Sequence, residues 1–220
     1  KWLLTAFKIN RLPNVHLVDR YLAATAPLGV VNDGLGLDFF PAQSERLSPL
    51  IPHAVFIALA IGAQYQTKRL PTAKIVDICK GIAQPIVLLG GQSEAEEGKK
   101  IAELAGPHVV NLCGKLSLQE SAEVLRQAAL LITHDTGMMH IAAAFQRKIL
   151  SIWGNTTPAL GMSPYYGTSN PNLNTSFEVE GLPCRPCSKI GHQHCPKGHF
   201  RCMNEQEVEK IVRHAAALRK

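Results

Sequence analysis

The sequence lacks any apolar run long enough to cross a membrane. Its longest such run, residues 54–61, is about half the length that a membrane-spanning helix needs. The first eleven residues also lack the apolar stretch and small-residue cleavage site of a signal peptide. These absences predict a cytoplasmic protein without a transmembrane helix.

Charge is also scarce, at 18% of residues, although 23 Lys and Arg against 17 Asp and Glu leave a formal net charge of +6. No run of five or six basic residues occurs, which weighs against a nucleic-acid-binding arm and favours a phosphate-bearing ligand or an anionic membrane surface. Neither G-x-G-x-x-G nor G-x-x-x-x-G-K-[ST] is present, which counts against an NAD-dependent enzyme and a P-loop enzyme. The 220 residues suit one large domain, or one domain and a piece of another.

From residue 54 onward, short apolar runs alternate five times with helical patterns. The runs are apolar throughout rather than at every second position, which is typical of strands buried on both faces. Helices between such strands make right-handed crossovers, so we predict an α/β fold with a Rossmann-like, doubly wound parallel sheet. The predicted strands lie at residues 54–62, 85–90, 109–113, 129–133 and 148–153.

Sequence patterns that predict helices lie between these strands and after the last of them. Two capping boxes, Ser93–Glu96 and Ser117–Glu120, each predict the start of a helix, and the second helix would bury Leu118, Ala122 and Leu125. Further helices are predicted over residues 72–83, 137–145 and 205–218, and residues 155–203, rich in Pro, Gly, Asn and Cys, are predicted to be loop.

Ligands bind such sheets at the carboxyl ends of the strands, where the most informative segment is Thr133-His-Asp-Thr-Gly-Met-Met-His140. A strand ends and a helix begins there, and the unpaired N–H groups and positive dipole end of the helix suit a phosphate. Equally, Asp135 or Thr136 would simply cap the helix. His140, one turn further on, would either bond a ligand or fill the helix face.

Two neighbouring loops carry charged residues. Lys68, after the first predicted strand, would neutralise a phosphate as a point charge or remain a solvated surface lysine. Glu94, after the second strand, would accept hydrogen bonds from ribose hydroxyls or would only favour the dipole of the following helix.

Four of the six cysteines cluster near the end of the chain. Cys184, Cys187, Cys195 and Cys202 form C-x2-C-x7-C-x6-C, and four soft ligands within about twenty residues could hold a structural zinc ion. The alternatives are a reduced, packed loop or, in an oxidising compartment, disulfides. A non-catalytic, zinc-stabilised basic domain that binds nucleic acid is therefore a competing hypothesis for function.

Four motifs follow one another along the chain: Gly62-Ala…Lys68-x-Leu-Pro71, Gly90-Gly-x-x-Glu94, Leu116-Ser-Leu and Asp135-Thr-Gly-Met-Met-His140. Their order resembles glycosyltransferase family 9, the ADP-heptose:lipopolysaccharide heptosyltransferases, and the cysteine-bearing tail is also similar to members of that family. The resemblance implies the C-terminal half of a GT-B glycosyltransferase, in which two Rossmann-like domains face each other across a cleft. Residues 51–220 would form the C-terminal nucleotide-sugar donor-binding domain, and residues 1–50 would be the remnant of an N-terminal acceptor domain plus a linker.

The resemblance also implies a set of donor-binding residues. Lys68 would pair with the diphosphate, Glu94 would bind the ribose, and the backbone of Thr136 and Gly137 would hold phosphate. Asp135 is expected to point toward the sugar hydroxyls, because a carboxylate would repel the diphosphate. The full set is Gln64, Lys68, Glu94, Leu116, Asp135, Thr136, Gly137 and His140.

The implied reaction is inverting transfer of heptose from ADP-heptose to a lipopolysaccharide core acceptor. It would require no cofactor and involve no nucleic acid, with peripheral contact to the inner face of the inner membrane. The family's general base is an Asp in an N-terminal strand and glycine-rich loop that no segment here matches. The catalytic base is therefore expected in a missing N-terminal domain, and this chain would bind the donor without turning it over.

Overall fold

A computed structural model of the chain describes residues 2–42, 44–168 and 173–217. Its centre is one sheet of six strands, paired in parallel in the order β3-β2-β1-β4-β5-β6. This order, with an α-helix between each successive pair of strands from β1 to β5, confirms the predicted α/β class and the doubly wound, Rossmann-like sheet. The strands are β1 (Ile57–Ala60), β2 (Ile86–Leu89), β3 (Val109–Asn111), β4 (Leu130–His134), β5 (Lys148–Trp153) and β6 (Asn174–Glu178).

Eight α-helices occur among the described residues. The predicted helix over residues 205–218 begins at Val208, and its predicted last residue, Leu218, lies outside the described ranges. The helices are α1 (Trp2–Phe7), α2 (Leu17–Ala24), α3 (Thr72–Gly81), α4 (Ala95–Ala105), α5 (Leu118–Gln127), α6 (Gly137–Ala144), α7 (Arg201–Asn204) and α8 (Val208–Ala217). None of the helices in the described part of the chain is long and apolar enough to cross a membrane.

The sheet is buried on both faces, as the uninterrupted apolar runs predict. In β1, Ile57 and Leu59 belong to a core cluster with residues of α3, α4 and α8, whereas Ala58 and Ala60 belong to a second cluster with residues of α5 and α6. Alternate side chains of one strand point to opposite faces, so each of the strands β1 to β5 contributes to both clusters. This two-sided burial leaves the strand ends as the edge where ligands can reach the sheet.

The prediction of loop throughout residues 155–203 is wrong, because β6 pairs with β5 in register from Asn174 to Glu178. Only Phe177 of this strand is buried, and the others are polar and partly or wholly exposed. An edge strand that pairs on one side needs neither a continuous nor an alternating apolar pattern, so sequence periodicity gave no signal for it.

Of the two predicted capping boxes, one forms. Ser117 Oγ accepts a hydrogen bond from Glu120 N at 3.2 Å, and Glu120 Oε2 accepts one from Ser117 N at 2.9 Å. The box predicted from Ser93 does not form, because Ser93 Oγ donates to Glu94 Oε1 at 2.7 Å and α4 is entered through a 3-10 turn over Gln92–Glu94.

Candidate functional site

A cleft of about 330 Å³ lies at the carboxyl ends of β1, β2 and β4. Larger cavities, up to about 610 Å³, lie elsewhere on the surface, but the strand-end position is the one that the fold favours for a ligand. Four of the predicted donor-binding residues line the cleft: Gln64, Glu94, Thr136 and Gly137.

The start of α6 opens into this cleft without a side-chain cap. Thr136 is the N-cap residue, but its side chain makes no capping hydrogen bond, and its Oγ1 lies 3.2 Å from Thr133 Oγ1. A Cβ atom on Gly137 would meet no atom of the described residues within 4 Å. The side-chain cap that was the alternative interpretation is therefore absent in this part of the structure, and the first N–H groups of α6 can bind an anion.

Lys68 lies beside this helix start and is not a solvated surface lysine. Its Nζ is 2.8 Å from Asp135 Oδ2, and the two side chains are only 12% and 6% exposed. The preceding residue fixes the turn, because Thr67 Oγ1 donates to His192 O and accepts from His192 N, both at 2.8 Å. A single buried ammonium group is thus held against the residue that precedes the N-cap of α6.

Glu94 is buried and is held by three donors from nearby loops. Its Oε1 accepts from Arg69 Nη2 at 2.8 Å and from Ser93 Oγ at 2.7 Å, and its Oε2 accepts from Gly91 N at 2.8 Å. Arg69 in turn donates through Nε to Ala63 O at 2.8 Å. A carboxylate offers about four lone-pair positions, so Oε2 retains capacity for one more donor at the wall of the cleft.

Two histidines near the helix start are kept neutral by their surroundings. Burial lowers the pKa of His140, with the positive charges of His16 and Lys68 adding to this and the Asp135 carboxylate opposing it. Burial lowers the pKa of His134 to about 4. His134 Nε2 accepts from Leu70 N at 3.0 Å, so this ring joins the end of β4 to the loop after β1. His140 is thus within electrostatic reach of both Lys68 and Asp135, and its expected contact with the donor stays a prediction.

The profile of glycosyltransferase family 9 (heptosyltransferase) matches residues 1–192 of the chain. The chain belongs to glycosyltransferase family 9. Lipooligosaccharide heptosyltransferase 2 of Haemophilus influenzae is 25% identical to it over an alignment of 178 residues that covers 71% of this chain and 51% of that protein. The chain thus spans about half the length of this curated relative.

Solved structures of the family share the fold. A family 9 glycosyltransferase from Veillonella parvula superposes with a TM-score of 0.72 at 20% identity, over 99% of this chain and 64% of that one. A second structure is that of TibC from enterotoxigenic Escherichia coli, a dodecameric iron-containing heptosyltransferase solved with ADP-D-β-D-heptose. It superposes with a TM-score of 0.53 at 18% identity, over 81% of this chain and 49% of that one. The Rossmann-like fold that the resemblance implies is therefore confirmed.

The cleft also contains residues that the sequence interpretation missed, and four of the eight predicted residues are not among those that line it: Lys68, Leu116, Asp135 and His140. Leu116 does not line the cleft and packs against the second core cluster. Leu118, predicted to be buried, is 57% exposed and lines the cleft with Met138 and Arg69. The sequence did carry a signal for Leu118. It is the first residue of a helix that begins at the carboxyl edge of the sheet, which is the edge where such folds bind ligands.

The cysteine tail does not support the predicted zinc site. Cys184 Sγ lies 3.8 Å from His199 Nε2, but in the described ranges no three or more His, Cys, Asp or Glu side chains are gathered to hold a metal ion. Burial raises the pKa of Cys187 and of Cys202 to about 11. Cys195 is partly buried, and none of the four thiols is paired in a disulfide.

Proposed function

We propose that this chain is the donor-binding half of an inverting heptosyltransferase, which binds ADP-heptose for transfer to a lipopolysaccharide core acceptor. The observation that carries the proposal is the uncapped start of α6, opening into a strand-end cleft beside the buried Lys68–Asp135 pair. Membership of family 9 supports it over the alternative of a zinc-stabilised domain that binds nucleic acid.

The diphosphate of the donor would bind the N–H groups of Thr136 and Gly137, with Lys68 Nζ supplying a full positive charge. The ribose would donate to Glu94 Oε2, the oxygen with spare capacity. Leu118 and Met138 would pack against apolar parts of the nucleotide. In this proposal Asp135 and the neutral His140 face the sugar end, while Gln64 contributes its amide at the rim of the cleft.

Transfer forms a bond between the acceptor oxygen and the anomeric carbon of the heptose and breaks the bond from that carbon to the diphosphate. The acceptor proton passes to a general base, and ADP leaves with the electron pair of the broken bond. Lys68 and the helix start would stabilise the charge that develops on the diphosphate. We place the base in an N-terminal domain of the whole protein, so the chain alone should bind the donor without turnover.

Residues 1–50 are, in this proposal, the remnant of that acceptor domain plus a linker. Their surface supports the assignment, because twelve of the sixteen large apolar side chains that are exposed among the described residues lie between Trp2 and Phe40. Such a concentration is typical of a surface that another domain covers. A lipid-linked acceptor would place the whole protein at the cytoplasmic face of the inner membrane.

Isothermal titration of the full chain with ADP and with ADP-heptose tests the proposal. We expect saturable binding of both ligands at one site and loss of both when Gly137→Val puts a branched side chain in front of the N–H groups of α6. Ala159→Val, at an exposed residue of the loop after β5, is the matched control and should bind normally. No binding to the wild-type chain, or equal binding to the Gly137→Val variant, would refute the proposal.

The proposal also requires no metal ion for donor binding, because Lys68 and the helix start supply the positive charge. Titrations with ADP should therefore give the same affinity with and without EDTA. A large loss of affinity in EDTA, restored by one added metal, would contradict this part of the proposal.

A further inference from the structure

The Asp135 carboxylate is oriented from behind by the loop that follows β5. Thr156 is fully buried, and its Oγ1 donates to Asp135 Oδ2 at 2.9 Å. The same oxygen accepts from Lys68 Nζ at 2.8 Å. Two donors from two different loops therefore meet on one carboxylate oxygen.

The other oxygen of this carboxylate is left free. Among the described residues, Asp135 Oδ1 has no hydrogen-bond partner, and it is not among the polar atoms that are sealed from solvent without one. Rotation of a carboxylate about its terminal torsion is soft, so its direction is defined only when a donor in a fixed position holds one of its oxygens. Two donors on Oδ2 fix the rotation and present Oδ1 as the one remaining acceptor.

Thr156 is itself rigidly supported. Arg185, whose side chain is 9% exposed, donates through Nη2 to Thr156 O at 2.8 Å and to Glu178 Oε2 at 2.7 Å. Its Nε donates to Gly154 O at 2.5 Å. A residue whose backbone is clamped in this way can hold a neighbouring group within the narrow limits that ligand recognition needs.

We propose that Thr156 is a positioning residue that holds Asp135 so that Oδ1 accepts a hydroxyl group of the donor sugar. Lys68 would then serve the diphosphate, while Thr156 keeps the carboxylate turned toward the sugar after Lys68 has shifted to the phosphate. The consequence is selectivity for a sugar-bearing nucleotide over the bare nucleotide. This inference rests on the proposed function, because it needs a nucleotide sugar in the cleft.

The test compares the affinities of the full chain for ADP and ADP-heptose in wild type, Thr156→Val and Thr156→Ser. Valine keeps the shape but removes the donor, so the preference for ADP-heptose over ADP should fall by about tenfold while the affinity for ADP stays within about twofold. Serine keeps the hydroxyl and should retain the preference. Thr157→Val, one residue on, removes a hydroxyl that accepts from Ala159 N and should change neither affinity.

A purely structural role for Thr156 would lower both affinities by the same factor or only lower the unfolding temperature, and either result overturns the inference. So does a wild-type chain that binds ADP and ADP-heptose equally, or a Thr156→Ser variant that behaves like Thr156→Val. If Thr156→Val does not fold, Thr156→Ala replaces it with the same expectation. Failure of the wild type to bind either ligand would instead refute the proposed function, and this inference with it.

Discussion

Two consecutive residues of one loop form the two ion pairs beside the cleft, and the pairs differ in how they are built. Lys68 reaches Asp135, next to the start of α6, and Arg69 reaches Glu94, after β2. Both pairs span 2.8 Å and are largely buried. Their other contacts, however, point to different roles.

Both residues of the Arg69–Glu94 pair make further hydrogen bonds to neighbouring groups. Arg69 donates to Ala63 O through both Nε and Nη2, and Glu94 also accepts from Gly91 N and Ser93 Oγ. The Lys68 ammonium, in contrast, contacts within the described residues only Asp135, through its carboxylate and its carbonyl oxygen. The first pair therefore shapes the wall of the cleft, whereas the second can exchange its anion for a phosphate.

Arg69→Met should have the largest effect on stability. It leaves the buried Glu94 carboxylate without its cation and Ala63 O without its donors, which should cost about 3 kcal/mol of unfolding free energy. The affinity of the folded variant for ADP should fall less than in Lys68→Met, because Gly91 N and Ser93 Oγ still hold Glu94 for the ribose. Urea unfolding and ADP titration measure the two quantities.

The control for this experiment is Arg213→Met, at an exposed arginine of α8, which should change stability by less than about 0.5 kcal/mol. The double variant Arg69→Met with Glu94→Gln should recover part of the loss, because it removes the uncompensated charge. If Arg69→Met alone is as stable as wild type, Arg69 does not shape the cleft wall.

Lys68→Met should affect ADP affinity more than stability. Loss of a charge-assisted contact to the diphosphate should weaken ADP binding by about 10- to 100-fold, equivalent to about 1.5–3 kcal/mol. The cost in stability should be smaller than for Arg69→Met, because Asp135 keeps the hydrogen bond from Thr156. Lys99→Met, at an exposed lysine of α4, is the matched control. If Lys68→Met and Arg69→Met weaken ADP binding equally, the two pairs do not have different roles.

Acid should destabilise the fold next to the cleft through His134, whose Nε2 accepts from Leu70 N. The unfolded chain binds a proton at this histidine near pH 6.5, whereas in the folded state burial lowers its pKa to about 4. Protonation therefore favours unfolding as the pH falls below 6.5, and stability should drop by about 2 kcal/mol between pH 7 and pH 5. Urea unfolding at both pH values checks this.

The His134→Asn variant should lose that part of the pH dependence, whereas His53→Asn, at an exposed histidine, should keep it. An unchanged pH dependence in His134→Asn would contradict the assignment to this ring. The comparison separates a general acid effect on the protein from one that acts at the junction of β4 and the loop after β1.

The sequence predicted the fold well where a strand is buried on both faces, as β1 and β4 are, because such a strand needs a continuous run of apolar residues. It failed for β6, because pairing at one edge places few demands on the residues of a strand. Motif order placed Lys68 and Glu94 in loops at the strand ends, where the structure has them, and their role in donor binding stays a prediction. It could not predict that Arg69 and Thr156 hold the two carboxylates, because those contacts join residues 25 and 21 positions apart through the fold.

Ser93→Ala should have the smallest effect and sharpens the distinction further. It removes one of three donors to Glu94, so stability should fall by about 1 kcal/mol or less. Because Arg69 and Gly91 N still hold the carboxylate, ADP affinity should stay within about twofold of wild type. Urea unfolding and titration again give both values. A loss of ADP affinity as large as that of Lys68→Met would mean that Ser93 contacts the ligand itself. The contacts around Glu94 would then bind the ligand directly, as Lys68 does, rather than only shape the wall of the cleft.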